Sequence, residues 1–195
     1  MAERRERKKA VTRAAILDAA LELFLERGFD DVSVREIADK ADVSPTTVFA
    51  HFAQKEALLF YEEDDQRARL VAAVRDRTAG TTISRALSNH YRAEFAAMWS
   101  GDDGQVRGRV MDLMQQTPAL QQYAERMWFR HEDALAAAIA AELQLAEPSD
   151  EVRLYARFAL QIQLLASGDT DPLIDAGFAL LEPGWARYLE SLPSP

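Results

Sequence analysis

The chain contains no cysteine, which excludes disulfides, thiolate metal sites and cysteine nucleophiles from its 195 residues. No run approaches the ~20 consecutive apolar residues of a membrane-spanning helix, and no apolar signal region opens the sequence. A soluble, cytoplasmic protein with no membrane partner is expected. Histidine is scarce: His51, His90 and His131 are the only three. None follows a Glu at the spacing of the Glu-x-x-His pairs of di-iron bundles, and His131-Glu132 lacks the second histidine of a zinc HExxH motif. His90 and Glu94 share a helical face, an isolated pair of the kind that is usually structural. A Gly-rich phosphate loop and a Gly-x-Ser-x-Gly elbow are missing as well. This inventory predicts no enzyme, no metal and no cofactor. Sustained apolar/polar alternation is absent and β-branched residues are few, so no sheet is expected.

What the chain does have is a helical core former's composition, 48% hydrophobic and 28% charged, which argues against global disorder. Residues 33–55, SVREIADKADVSPTTVFAHFAQK, read as two short helices around a tight turn. Val34, Ile37, Ala38 and Ala41 have the spacing of one apolar stripe. Ser33 with Glu36 forms a capping box, hydroxyl and carboxylate each satisfying an orphan amide. Ala41-Asp42-Val43 makes the turn, with Asp tolerating a left-handed backbone and Val43 pinning the corner. Ser44 then caps a second helix with Pro45 at its first position. Val48 and Phe52 anchor that helix on one face. Upstream, Ile16, Ala19, Ala20, Leu23 and Phe24 form the stripe of a first helix that Gly28 stops. Three helices sharing one small core, the last of them with Thr46, Thr47, Phe49 and His51 on its free face, make a helix-turn-helix. In such a unit the second helix of the pair meets base edges in the major groove, and short hydroxyls suit that contact.

Through residues 16–59 the chain resembles the TetR family of bacterial transcriptional regulators. The family's recognition-helix pattern falls on Thr47, Val48, Phe49, Ala50, His51, Phe52 and Lys55. The resemblance implies that Thr47, His51 and Lys55 hold phosphates, while Arg35, Pro45 and Thr46 occupy base-contacting positions. Two departures stand out: Phe49 replaces the usual Tyr, leaving a ring that touches a thymine methyl or only packs, and Asp42 replaces the usual turn Gly.

Positive charge is also in short supply. The formal net charge is −9, an unusual balance for a nucleic-acid partner, whose phosphates attract Lys and Arg through counterion release. Its distribution differs from its sum: residues 1–13 carry +4, residues 14–60 carry −5 and residues 61–195 carry −8. Arg4, Arg5, Lys8 and Lys9 therefore make the N-terminal arm the natural electrostatic anchor on DNA, with the minor groove beside the recognition helix as one place for it. The bland alternative is a solvated, disordered basic tail.

The expected fold is all-α: an N-terminal basic arm and three-helix DNA-binding domain over 1–60, then a larger helical ligand-binding and dimerisation domain over 61–195. A fourth helix is expected from about Glu56 to Arg77. Breakers then delimit helices near 82–99, 105–115, 118–144, 149–167 and 172–191, and Pro183-Gly184 should kink or split the last. A two-fold homodimer would set two recognition helices about 34 Å apart on a palindromic double-stranded DNA operator. Family resemblance puts the last two helices at that interface. Leu154, Phe158, Ile162 and Leu165 form one stripe there, and Ala176 and Gly177 permit close approach; the alternative for these residues is the domain's own core. Resemblance also implies a small-molecule inducer, its identity unspecified, bound among the middle helices. Trp99, Met114, Trp128 and His131 are the candidate ligand contacts, in a region of mixed apolar walls and polar anchors that equally describes a helical core. Arg126 and Arg130 share a helical face suited to an anionic ligand or to a solvated, salt-bridged edge. The reading is a DNA-binding regulator, most often a repressor in this family; the alternative is a helical small-molecule sensor without sequence-specific DNA binding.

Overall fold

The structure, a computed structural model, describes residues 2–99, 104–165 and 171–192, with side chains over 4–97, 104–165 and 172–192. The expected loops at 100–104 and 167–169 lie largely outside the described residues. Among the described residues every regular element is helical: α1 (Ala2–Arg27), α2 (Val34–Lys40), α3 (Pro45–His51), a 3-10 turn (Lys55–Leu58), α4 (Glu63–Arg75), α5 (Ile83–Trp99), α6 (Gly104–Gln116), α7 (Pro118–Glu142), α8 (Asp150–Leu165) and α9 (Asp171–Ser191). None of these helices is long and apolar enough to cross a membrane. The chain divides into two compact units, residues 1–62 with 102–125 and residues 63–101 with 126–195. Thus α6 and the first turns of α7 cluster with the N-terminal helices, a grouping between distant segments that sequence order does not reveal.

The first unit is built around Ile16, Phe24, Val32, Ile37 and Val48, all essentially closed to solvent. Its turn chemistry follows the sequence closely. Glu36 N–H donates to Ser33 Oγ at 3.2 Å, while Ser33 N–H donates to Glu36 Oε2 at 2.8 Å. The Ser33 amide and then the Ser33 hydroxyl, which donates to the same oxygen at 2.7 Å, with the Arg27 guanidinium 2.7 Å away, pull the Glu36 carboxyl down to about 2. After α2, Asp42 takes φ +54°. Its amide bonds Asp39 O and that of Val43 bonds Ala38 O, the paired bonds of a Schellman turn. Asparagine-like tolerance of the left-handed region lets Asp stand where glycine would serve.

The fourth helix starts later than expected. Residues 55–58 form a 3-10 turn and α4 opens only at Glu63. Leu58 and Phe60 are both buried, yet two residues are 200° apart around an α-helix. The break sets each toward the core, and Phe60 stacks on Tyr123 with ring centroids 4.8 Å apart.

The second unit packs α4, α5, most of α7, α8 and α9 around Tyr91, Leu87, Leu135, Ile139, Val152 and Ile174. Tyr155 stacks on Trp185 at 4.1 Å and its hydroxyl bonds Ser84 Oγ at 2.7 Å. Ile162 belongs to this core, whereas Leu154, Phe158 and Leu165 are exposed. The expected four-residue stripe therefore splits, because each step of four advances 40° and Ile162 has drifted onto the buried side. Gly177 packs within the chain: a Cβ there would lie 2.6 Å from Ile162 Cγ1. Of the expected kink or split at Pro183-Gly184, the split does not occur, and α9 runs through the proline. A proline removes one backbone bond, and buried Phe178 and Trp185 hold the helix on either side.

Candidate nucleic-acid interface

Helix α3 begins where Ser44 Oγ accepts from the Thr47 amide at 3.1 Å, with Pro45 in the first turn. Val48 and Phe52 are buried, which fixes the rotation of the helix about its axis. Pro45, Thr46, Phe49 and Ala50 consequently face solvent, and Thr47 and His51 sit at the margin. Phe49 is 53% exposed on a helix of seven residues, so its ring is available to a partner and not packed away. Thr47 shares its hydroxyl with Ser44 Oγ at 2.8 Å; a hydroxyl has capacity for a further bond, to a phosphate oxygen among others. Arg35 on α2 is exposed.

The basic residues of the N-terminus extend this face. Arg4, Arg5, Lys8 and Lys9 are exposed on the first turns of α1, which is helical from Ala2 onward. The arm considered from sequence is thus a helix, about 10–12 Å across against about 6 Å for a minor groove, with its basic side chains in solvent. Arg5, Lys9 and Arg13 recur every four residues along one side. Arg13, which the sequence reading did not single out, lies over the Phe52 ring at 4.4 Å and donates to the Tyr61 carbonyl at 2.8 Å. The four-residue step from Lys9 was its available signal. Burial, then the charges of Lys9 and Arg13, lower the His51 pKa from 6.5. Lys9, Arg13 and His51 therefore share one electrostatic neighbourhood, which becomes more favourable when an anion approaches.

Lys55 has a more structural setting than its position in the motif suggests. Its ammonium donates to the carbonyls of Phe29 at 2.7 Å and Val32 at 2.8 Å, and stands 4.1 Å from the centre of the Phe29 ring. Burial lowers its pKa. Two of its three donors hold the loop between α1 and α2, leaving one for another partner. Elsewhere in this unit Lys40 pairs with Glu22 and Arg27 with Glu36, each at 2.7 Å.

The proposed ligand contacts are distributed differently. Trp128 meets buried His131 edge-on at 5.2 Å, and His131 Nε2 lies 3.3 Å from the Glu63 carbonyl. Burial lowers the His131 pKa. Met114 belongs to the other unit, and the Trp99 side chain lies outside the described residues. Arg130 is paired with the Glu63 carboxylate at 2.6 Å, while Arg126 is exposed. Glu94 is gripped by Arg69 through bonds of 2.7 and 3.0 Å. Within the second unit a cleft of about 780 Å³ opens between α5 and α9, lined by other residues, among them Ser84, Arg85, Ser88, Arg92, Asp175 and Glu182. No group of three or more His, Asp or Glu among the described residues could hold a metal.

These elements can be set against known proteins. The chain is 34% identical over 141 residues to the HTH-type transcriptional regulator TcmR of Streptomyces glaucescens, an alignment covering 70% of this chain and 62% of that protein's length. An HTH-type transcriptional repressor of Mycobacterium tuberculosis is 32% identical over 133 residues, covering 68% of each chain. In fold, the chain matches the crystal structure of a TetR-family regulator from Streptomyces coelicolor with a TM-score of 0.63, 22% identity and coverage of 89% and 94%. Residues 16–61 match the model of the tetR family of bacterial regulatory proteins, and residues 81–186 match that of the MftR C-terminal domain. With both its helix-turn-helix and more than half of its length so matched, the chain belongs to the TetR family of bacterial regulatory proteins.

Proposed function

We propose that the protein is a sequence-specific DNA-binding transcriptional regulator, a repressor that leaves a palindromic operator when a small molecule binds its second unit. The observation that carries this reading is the solvent face of α3. Thr46, Phe49 and Pro45 stand exposed on a helix fixed by Val48 and Phe52, beside a helical row of Arg and Lys on α1. Hydroxyls and an aromatic edge read bases, and the basic row supplies the phosphate affinity that the overall acidic chain otherwise lacks. Repression is supported by likeness to a relative described as a repressor.

Operation as a homodimer is supported by apolar side chains left outside the core. Leu154, Phe158 and Leu165 on α8 are 52%, 48% and 69% exposed, and Leu180 on α9 is 83% exposed. A second copy would cover them, and two-fold symmetry would present two α3 helices to successive turns of the major groove. Release then follows if the ligand binds one dimer geometry better than the other.

The test is selection of bound duplexes from a random DNA pool at near-physiological salt. Recovery of an inverted repeat with half-sites about 10 base pairs apart, or a multiple of that, is expected. Recovery of no motif would overturn the DNA-reading half of the proposal. With the motif in hand, Arg35→Ala and Thr46→Ala should relax preference at particular bases, whereas Lys9→Ala should weaken all sequences and reduce the salt slope by about one unit.

A further inference from the structure

The cleft between α5 and α9 is lined by both helices. On its walls Arg92 is ion-paired with Asp175 and donates to Ser88 Oγ at 2.6 Å. Two turns earlier on α5 stands Arg85, and two turns later on α9 stands Glu182, the corresponding positions of an antiparallel helix pair. Both line the cleft. Burial, with a smaller contribution from the Glu182 charge, raises the pKa of Tyr155, whose hydroxyl is bonded to Ser84, so Glu182 lies on the same stretch of the cleft as Arg85. Yet among the described residues neither Arg85 nor Glu182 has an ion-pair partner. The cleft therefore holds a cation on one wall and an anion on the other, each unneutralised.

Its remaining features fit the same kind of guest. Gly80 (φ +82°), Thr81 and Thr82 line the cleft at the start of α5, where Thr82 Oγ1 accepts from the Arg85 amide. Hydroxyls and helix-start amides there favour an anionic group beside Arg85. On the opposite wall Pro183 cannot supply the amide that the Ala179 carbonyl would otherwise receive, leaving acceptor capacity beside Glu182 for a donor-rich group. Buried Phe178 provides an apolar floor. A volume of about 780 Å³ lies within the ~300–1,000 Å³ range of small-molecule sites. At 100° per residue, Asp175 and Glu182 point about 180° away from exposed Leu173 and Leu180 on α9, so a second copy seated on that leucine face leaves the cleft open.

We propose that this cleft binds a small zwitterion of the amino-acid or dipeptide class, its carboxylate on Arg85 and its ammonium on Glu182. This deepens the effector half of the function proposed above by naming a place and a ligand chemistry. Calorimetric titration of the full-length protein without DNA tests it, using L-phenylalanine and glycyl-L-phenylalanine with their N-acetyl and C-terminal amide derivatives. Saturable binding of at least one free zwitterion is expected. Capping either end, or substituting Arg85→Gln or Glu182→Gln, should weaken it about tenfold or more, the loss of a charge-assisted hydrogen bond. Both side chains are exposed, so these variants should fold, and an unchanged circular dichroism melt checks that. Equal binding of the N-acetyl derivative would reduce the cleft to an anion site and overturn the zwitterion assignment. Equal binding of the amide would overturn it from the other side, as would absence of saturation by both free probes at about 10 mM, roughly the weakest affinity such a site could use. Because no DNA is present, failure here leaves the operator reading standing, and failure of the duplex selection leaves this one standing.

Discussion

Replacing Gly177 with alanine should destabilise the protein, although alanine is the better helix former. In an open helical position the change gains about 1 kcal/mol. At Gly177 the new Cβ would lie 2.6 Å from Ile162 Cγ1, 2.8 Å from Cδ1 and 3.0 Å from Cγ2, against ~3.5–4.0 Å for carbon atoms in contact. Ile162 is β-branched, so one rotamer dominates in a helix and swinging away puts another methyl or methylene in its place. The Tyr155–Trp185 stack at 4.1 Å further fixes the spacing of α8 and α9. Overpacking of this kind costs about 1–3 kcal/mol and occasionally more. The net loss after the propensity gain is up to about 2 kcal/mol, or a Tm lower by up to about 8 °C for a chain of this size. Gly184 on the same helix is the internal control, since a Cβ there meets nothing within 4 Å; Gly184→Ala should hold or raise Tm. The assay is thermal and urea denaturation followed by circular dichroism at one fixed protein concentration, because dimer stability depends on concentration. Ile162→Ala alone should cost about 2–5 kcal/mol, and in the Gly177→Ala background the added methyl fills part of the hole, so the double variant should be more stable than the sum of the two losses. A Gly177→Ala protein stabilised as much as Gly184→Ala would refute the close-approach argument.

Further outcomes follow from other contacts. Lys55→Met should lower stability by about 1–3 kcal/mol, since the Phe29 and Val32 carbonyls lose a partly buried charged donor; an unchanged urea midpoint would show that the ammonium does not hold that loop. His51 has its pKa held below 6.5 in the free protein, and a nearby phosphate would raise it. DNA affinity should therefore increase as pH falls from about 7.5 to about 6, with His51→Gln flattening the profile. Buried His131 works in the opposite sense on folding: its lowered pKa means the unfolded chain binds the proton first, so stability is complete above 6.5 and declines as pH falls below it. His131→Gln should flatten the part of that decline it owns, read as the urea midpoint between pH 7 and 5.5. Phe158→Glu or Leu180→Glu should convert a dimer to monomer in light scattering without loss of helix content, because both positions lie outside the protomer core; persistent dimers in both variants would place the interface elsewhere.

Local chemistry explains why the helix-turn-helix was readable at residue resolution. A capping box, a left-handed turn and a proline at a helix start involve partners three to five residues apart, and Ser33, Glu36, Asp42, Ser44 and Pro45 make those bonds whatever the remainder of the chain does. The basic character of the first turns was equally visible, but their helical form was not, because charge sets affinity for anions without setting backbone conformation. Ile162 shows the same limit in the second unit. Its four-residue spacing from Phe158 suggested a shared face, and only its packing against Gly177 shows that it lies in the core.

By itself the sequence determined the all-helical class, the positions of nearly all helices, the local build of the helix-turn-helix and the absence of thiols, since each follows from residue type and short-range periodicity. The tertiary structure alone decided that Lys55 grips two carbonyls, that Arg13 lies over Phe52, that Trp128 and His131 meet while the cleft takes other walls, and that Arg85 and Glu182 line that cleft without an ion pair among the described residues. These are relations between segments tens of residues apart. Periodicity states which side of a helix is apolar, but which helix covers that side, and which charges are then left without partners, is settled only when the whole set of surfaces is buried at once.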